Sequence, residues 1–104
     1  MPYAAERIAM ILSFLMQRSV DDVLADLRSF YFDTALSAPT ALPSLLAFAA
    51  PDHVLFGSDW PYAPAFVVGL FTEELDRYEM STTMHAAIAR DTALGLFPRF
   101  GRVE

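Results

Sequence analysis

Residues 54–61, Val54-Leu55-Phe56-Gly57-Ser58-Asp59-Trp60-Pro61, carry three apolar residues into Gly-Ser-Asp and then into Trp-Pro. The apolar run has the length and composition of a buried strand. Proline lacks an amide proton and restricts the residue before it, so neither strand nor helix continues smoothly past Asp59. Asp59 is thereby set at the carboxyl end of a buried strand, where α/β proteins carry their chemistry.

Earlier in the chain, Phe30-Tyr31-Phe32 is a second short aromatic run closed by Asp33-Thr34, and it reads as a strand ending in a polar switch. Pro39 and Pro43 punctuate the stretch between the two runs and open a helix over residues 41–50, after which Pro51-Asp52-His53 turns the chain into residues 54–56. Strand, crossover helix and strand, with about 20 residues between the strands, is a βαβ unit with parallel pairing. Upstream, Pro2 precedes residues 4–16, apolar except for Glu6, Arg7 and Ser13, which predicts a helix covered on nearly every side. Residues 20–28 place Val20, Val23, Leu24 and Leu27 on one face and their acids on the other, a short amphipathic helix. Downstream, residues 65–78 read as helix despite Gly69. Ser81 is positioned to cap a final helix over residues 82–97, which Pro98 ends.

The fold class expected is α/β, mostly helical, with two short parallel strands. Two strands leave both sheet edges open, so the 104 residues read as a single partial domain of a larger α/β structure. Composition agrees: 55% of residues are hydrophobic and 19% charged, an apolar supply larger than so small a globule buries. An exposed apolar patch is therefore expected, and with it a homo-oligomer or a missing partner. The net charge is −6, from 13 acidic and 7 basic residues, and no basic cluster is present to neutralise phosphates, so nucleic acid is not an expected partner. There is no cysteine, hence no disulfide framework and no thiolate metal site. No basic stretch precedes the apolar residues 8–16, and nine residues are too few to span a membrane, which takes about 20, so a cytoplasmic chain is expected.

The two motifs together, Phe30-Tyr31-Phe32-Asp33-Thr34-Ala35-Leu36-Ser37 and the run from Val54 to Pro61, resemble the amidohydrolase-related (amidohydrolase 2) family. Aminocarboxymuconate-semialdehyde and 6-methylsalicylate decarboxylases belong to that family. The likeness extends forward to Ile88-Ala89-Arg90-Asp91-Thr92-Ala93-Leu94-Gly95-Leu96-Phe97-Pro98-Arg99 and back to Pro2-Tyr3-Ala4-Ala5-Glu6-Arg7. The resemblance implies the C-terminal quarter to third of a (β/α)8 TIM-type barrel, with Tyr31 on its seventh strand and Leu55 on its eighth. It also implies a metal, usually zinc, held by a His-x-His pair on the first strand, a histidine on the fifth, and the aspartate of the eighth, which maps onto Asp59. A histidine on the sixth strand, which assists the chemistry, falls just upstream of Met1. Where the family has Gly-Asn before its Leu-Phe-Pro ending, this chain has Asp91-Thr92, and Gly95 replaces a longer residue, departures that bear on the packing of the last helix.

On the resemblance, Asp59 is both metal ligand and catalytic carboxylate; taken as a lone residue, it is a solvated turn aspartate. Asp33 closes the neighbouring strand and could approach Asp59, although an aspartate there also caps its loop by accepting from the amide of Ala35 or Leu36. Trp60 and Tyr62, with Phe66, either line a substrate mouth, as the resemblance implies, or pack their own proline-rich loop. Neither histidine is expected to be a ligand: His53 opens the strand that Asp59 closes, about 20 Å away, and His85 should face solvent on the last helix. The function expected is part of a zinc-dependent hydrolase or non-oxidative decarboxylase of a small aromatic or dienoic carboxylic acid, inactive as these residues alone because one carboxylate cannot fix zinc. The alternative is a non-catalytic interaction module that uses its apolar face. A third arrangement, a glycosidase using Asp33 and Asp59, would need the carboxyls about 5 to 9 Å apart.

Overall fold

Proline at the head of the chain opens a single 3₁₀ turn, Pro2–Ala4, which runs into helix α1, Ala5–Met16, in a computed structural model that describes residues 1–101. Helix α1 ends where Gln17 turns left-handed at φ 52°, letting the Arg18 amide reach back to the Ser13 carbonyl at 3.2 Å. Ser19 then caps α2, Val20–Arg28, by accepting from the Asp22 amide at 3.1 Å, and Asp21 and Asp22 complement the dipole of its first turn. Arg18 pairs with Asp26 across the junction. Its hydrogen bond holds the Asp26 carboxyl below the usual carboxylate range, so whatever this exposed pair adds is present at neutral pH and fades as the carboxyl protonates in acid.

Strands β1, Phe32–Asp33, and β2, Val54–Leu55, pair in parallel, with Phe32 opposite Val54 and Asp33 opposite Leu55. The crossover helix α3, Leu42–Phe48, lies between them in sequence, as the βαβ reading required. The first strand begins two residues later than expected. Tyr31 stacks on the His53 ring at 4.1 Å, and His53 Nδ1 lies 2.7 Å from the Ser29 carbonyl and 3.2 Å from that of Phe30, so a side chain holds this segment in place of a ladder.

Helix α4, Ala65–Arg77, and the cap at Ser81, which accepts from the Met84 amide at 3.1 Å, follow the expectation closely. The final helix does not run unbroken over 82–97. It divides into α5, Thr82–Ala86, a π-turn, Ala87–Asp91, and α6, Thr92–Leu96. The Thr92 amide reaches back five residues to the Ala87 carbonyl, which releases the Ile88 carbonyl to accept from the Phe56 amide at 2.9 Å. The open side of β2 is thus met by a helix carbonyl. The Thr92 hydroxyl, whose helical acceptor would be that same Ile88 carbonyl, is left buried without a partner among the described residues.

Two apolar clusters hold these pieces. Ala5, Ala9, Val23, Leu27 and Phe48 join α1 and α2 to the crossover helix, while Leu42, Leu45, Val54, Leu75 and Ile88 join the sheet to the later helices. Phe32 packs against both. The opposite face of α1 is uncovered: Met10, Ile11, Phe14 and Leu15 face outward, with Phe14 85% exposed. This is the apolar patch that the composition called for. Among the described residues no helix is long and apolar enough to cross a membrane.

Leu42→Ala, which empties a fully buried position, is expected to cost about 2–5 kcal/mol in urea unfolding, whereas Phe14→Ser should leave the stability of the chain nearly unchanged.

Candidate functional site

The loop that carries Asp59 is built from the end of β2. Phe56 is fastened on one side by the Ile88 carbonyl, and the next residue, Gly57, turns toward β1. A Cβ added at Gly57 would lie 2.9 Å from both Cγ and Oδ1 of Asp33, so only glycine lets the two strand ends close on each other. Ser58 Oγ accepts from the Trp60 amide at 3.3 Å. Asp59 adopts φ 59°, a left-handed backbone that aspartate tolerates better than most residues, and its carbonyl accepts from the Ala63 amide at 2.8 Å. The Asp59 side chain is left exposed at the carboxyl end of the parallel pair.

Asp33 sits at the same end, with Oδ1 accepting from the Ala35 amide at 2.9 Å, the loop-capping role open to it from sequence. Trp60 and Tyr62 project from the loop, 67% and 91% exposed. Behind the loop, a void of about 10 Å³ between Gly57, Ser58, Thr34 and α4 holds no more than a single water. A larger cavity, of about 210 Å³, lies beyond Phe56 among Thr72, Leu75, Met80, His85 and Ile88.

The histidines have structural partners. His53 is engaged with Tyr31 and with the carbonyls entering β1, as described above, and it opens the strand that Asp59 follows. His85 is not solvent-facing: it is half-buried, with Nε2 2.9 Å from the Tyr78 carbonyl. That carbonyl follows the last residue of α4 and lacks a helical donor, and the ring supplies one. No group of three or more ligating side chains forms among the described residues. The donor set here does not by itself fit a zinc ion, which takes four ligands, or three and a water.

Thr34 is the residue that sequence reasoning missed. It is 4% exposed, its amide donates to the Leu55 carbonyl at 3.0 Å, and its hydroxyl accepts from the Gly57 amide at 3.4 Å. In the sequence it marks only the end of a strand. A β-branched residue with a hydroxyl at that end, next to a turn that competes for its carbonyl, was the available signal.

Residues 3–99 match the family described as amidohydrolase, and the chain belongs to that family. It is 41% identical over 103 residues to the 6-methylsalicylic acid decarboxylase of Penicillium expansum, an alignment covering 95% of this chain and 32% of that one. To the decarboxylase yanB of Aspergillus niger it is 39% identical over 107 residues, covering 96% and 29%. Among solved structures, it is similar to the crystal structure of an amidohydrolase II, with a TM-score of 0.80, 30% identity, and coverage of 93% of this chain and 31% of that chain. The chain therefore spans about a third of the length of the curated relatives it matches.

Gly57→Ala is expected to push Asp33 away and to lower stability by about 1–3 kcal/mol, with loss of protection at the Ala35 amide in hydrogen exchange.

Proposed function

We propose that these residues are the closing third of a (β/α)8 barrel, with β1 and β2 as its seventh and eighth strands, in a metal-dependent enzyme that decarboxylates a small aromatic carboxylic acid. The observation that carries this reading is Asp59, held left-handed and solvent-facing at the carboxyl end of a parallel strand pair. In an open or closed parallel α/β sheet that end bears the reacting groups. The similarity to proteins named as decarboxylases favours decarboxylation over hydrolysis.

In the proposed site Asp59 would hold zinc through its carboxylate, together with ligands from barrel strands outside these residues. Trp60 and Tyr62, which make the exposed rim of the loop, border the substrate. Asp33 caps its own loop and keeps Gly57 close. The outward face of α1 and the outer edge of β1 are surfaces for the remainder of the barrel or for a second copy of the chain.

A second reading, a non-catalytic module that docks through its apolar face, is favoured by the exposed stripe from Met10 to Leu15. Light scattering separates the two readings: a monodisperse oligomer that forms without metal supports the module.

The activity is tested in a hybrid barrel in which residues 1–104 replace the matching third of the Penicillium expansum decarboxylase. The hybrid is expected to retain zinc and to release carbon dioxide from 6-methylsalicylate, and Asp59→Ala is expected to lose both. Retention of zinc and turnover by the Asp59→Ala hybrid would contradict the assignment.

A further inference from the structure

The register of the sheet states where each rung of the parallel ladder should go. With Phe32 opposite Val54, the Phe32 amide donates to the His53 carbonyl at 2.8 Å and the Thr34 amide donates to the Leu55 carbonyl at 3.0 Å. The next rung would run from the Gly57 amide to the Thr34 carbonyl. That carbonyl is already engaged: it accepts from the Ser37 amide at 3.0 Å, as the chain turns away after β1. The Gly57 amide goes instead to the Thr34 hydroxyl, at 3.4 Å.

We infer that Thr34 is a positioning residue for Asp59, its buried hydroxyl replacing its own diverted carbonyl as the last rung of the sheet and so fixing where the loop departs from β2. The inference rests on the reading of Asp59 as the reactive carboxylate. Three features give the substitution its effect. Gly57 is two residues from Asp59, so a change of direction at Gly57 is carried into the left-handed turn. The opposite side of the strand is fastened one residue earlier, by the Ile88 carbonyl on the Phe56 amide, so the loop root is gripped from both sides. Asp33 fills the space beside Gly57, which bars any collapse of the loop onto β1 once the hydroxyl is gone. Valine matches threonine in shape and lacks the acceptor, whereas serine keeps the acceptor and loses the methyl group.

The test is amide hydrogen exchange and ¹⁵N relaxation on the 104-residue chain and on its Thr34→Val and Thr34→Ser variants. In the wild-type chain the Gly57 amide should be protected. In Thr34→Val its protection should fall about tenfold and the Asp59 amide should gain fast motion, while Phe32 and Phe56 keep their protection. Thr34→Ser should restore both readouts. An unprotected Gly57 amide in the wild-type chain would overturn the proposal whatever the variants do. So would a Thr34→Val chain indistinguishable from wild type at Gly57 and Asp59, or equal perturbation by valine and serine, which would make the methyl packing responsible. No metal enters these measurements, so a failure here is separate from a failure of the zinc reading, which the hybrid barrel addresses.

Discussion

The short parallel ladder between β1 and β2, bounded by the Phe32–His53 and Thr34–Leu55 hydrogen bonds, sets the relation between everything before the crossover helix and everything after it. Phe32 reaches both apolar clusters from that position, and Val54 opposite it is buried. So short a ladder has little strength of its own and depends on the helices packed around it. Where the ladder ends, the chain uses substitutes: a threonine hydroxyl on one side of β2 and a helix carbonyl on the other. The placement of Asp59 follows from these two substitutes and from the absence of a side chain at Gly57.

The π-turn at Ala87–Asp91 belongs to the same economy of hydrogen bonds. Shifting the Thr92 bond back to Ala87 frees the Ile88 carbonyl for the Phe56 amide just past β2, and it leaves the Thr92 hydroxyl without a partner among the described residues. A buried hydroxyl without a partner costs about 1–3 kcal/mol, against which stand the Phe56–Ile88 hydrogen bond and the packing of Ile88 in the cluster with Val54 and Leu75.

Much of the architecture was legible because its causes are local. Ser81 caps the helix it was expected to cap, the spacing of Val20, Val23, Leu24 and Leu27 defined α2, and Gly-Ser-Asp before Trp-Pro marked the end of a strand. The illegible parts depend on partners distant in sequence. The break in the last helix requires the Phe56 amide, 32 residues upstream of Ile88; His85 turns inward for the carbonyl of Tyr78; and the first strand starts late because His53 holds residues 29–30. Thr34 was harder to read, since the sequence shows a hydroxyl-bearing β-branched residue before a turn but not that its carbonyl is occupied. Membership in the amidohydrolase family was legible from the two strand motifs, whereas an exposed Asp59 with no ligating cluster around it among the described residues could be seen only in three dimensions.

The proposed role of Asp59, a metal ligand at the end of an eighth barrel strand, is tested by a crystal structure of the zinc-loaded hybrid barrel, with the metal located by anomalous scattering. A carboxylate oxygen of Asp59 is expected about 2.0–2.2 Å from zinc. A fully ligated zinc with Asp59 beyond coordinating distance would contradict it.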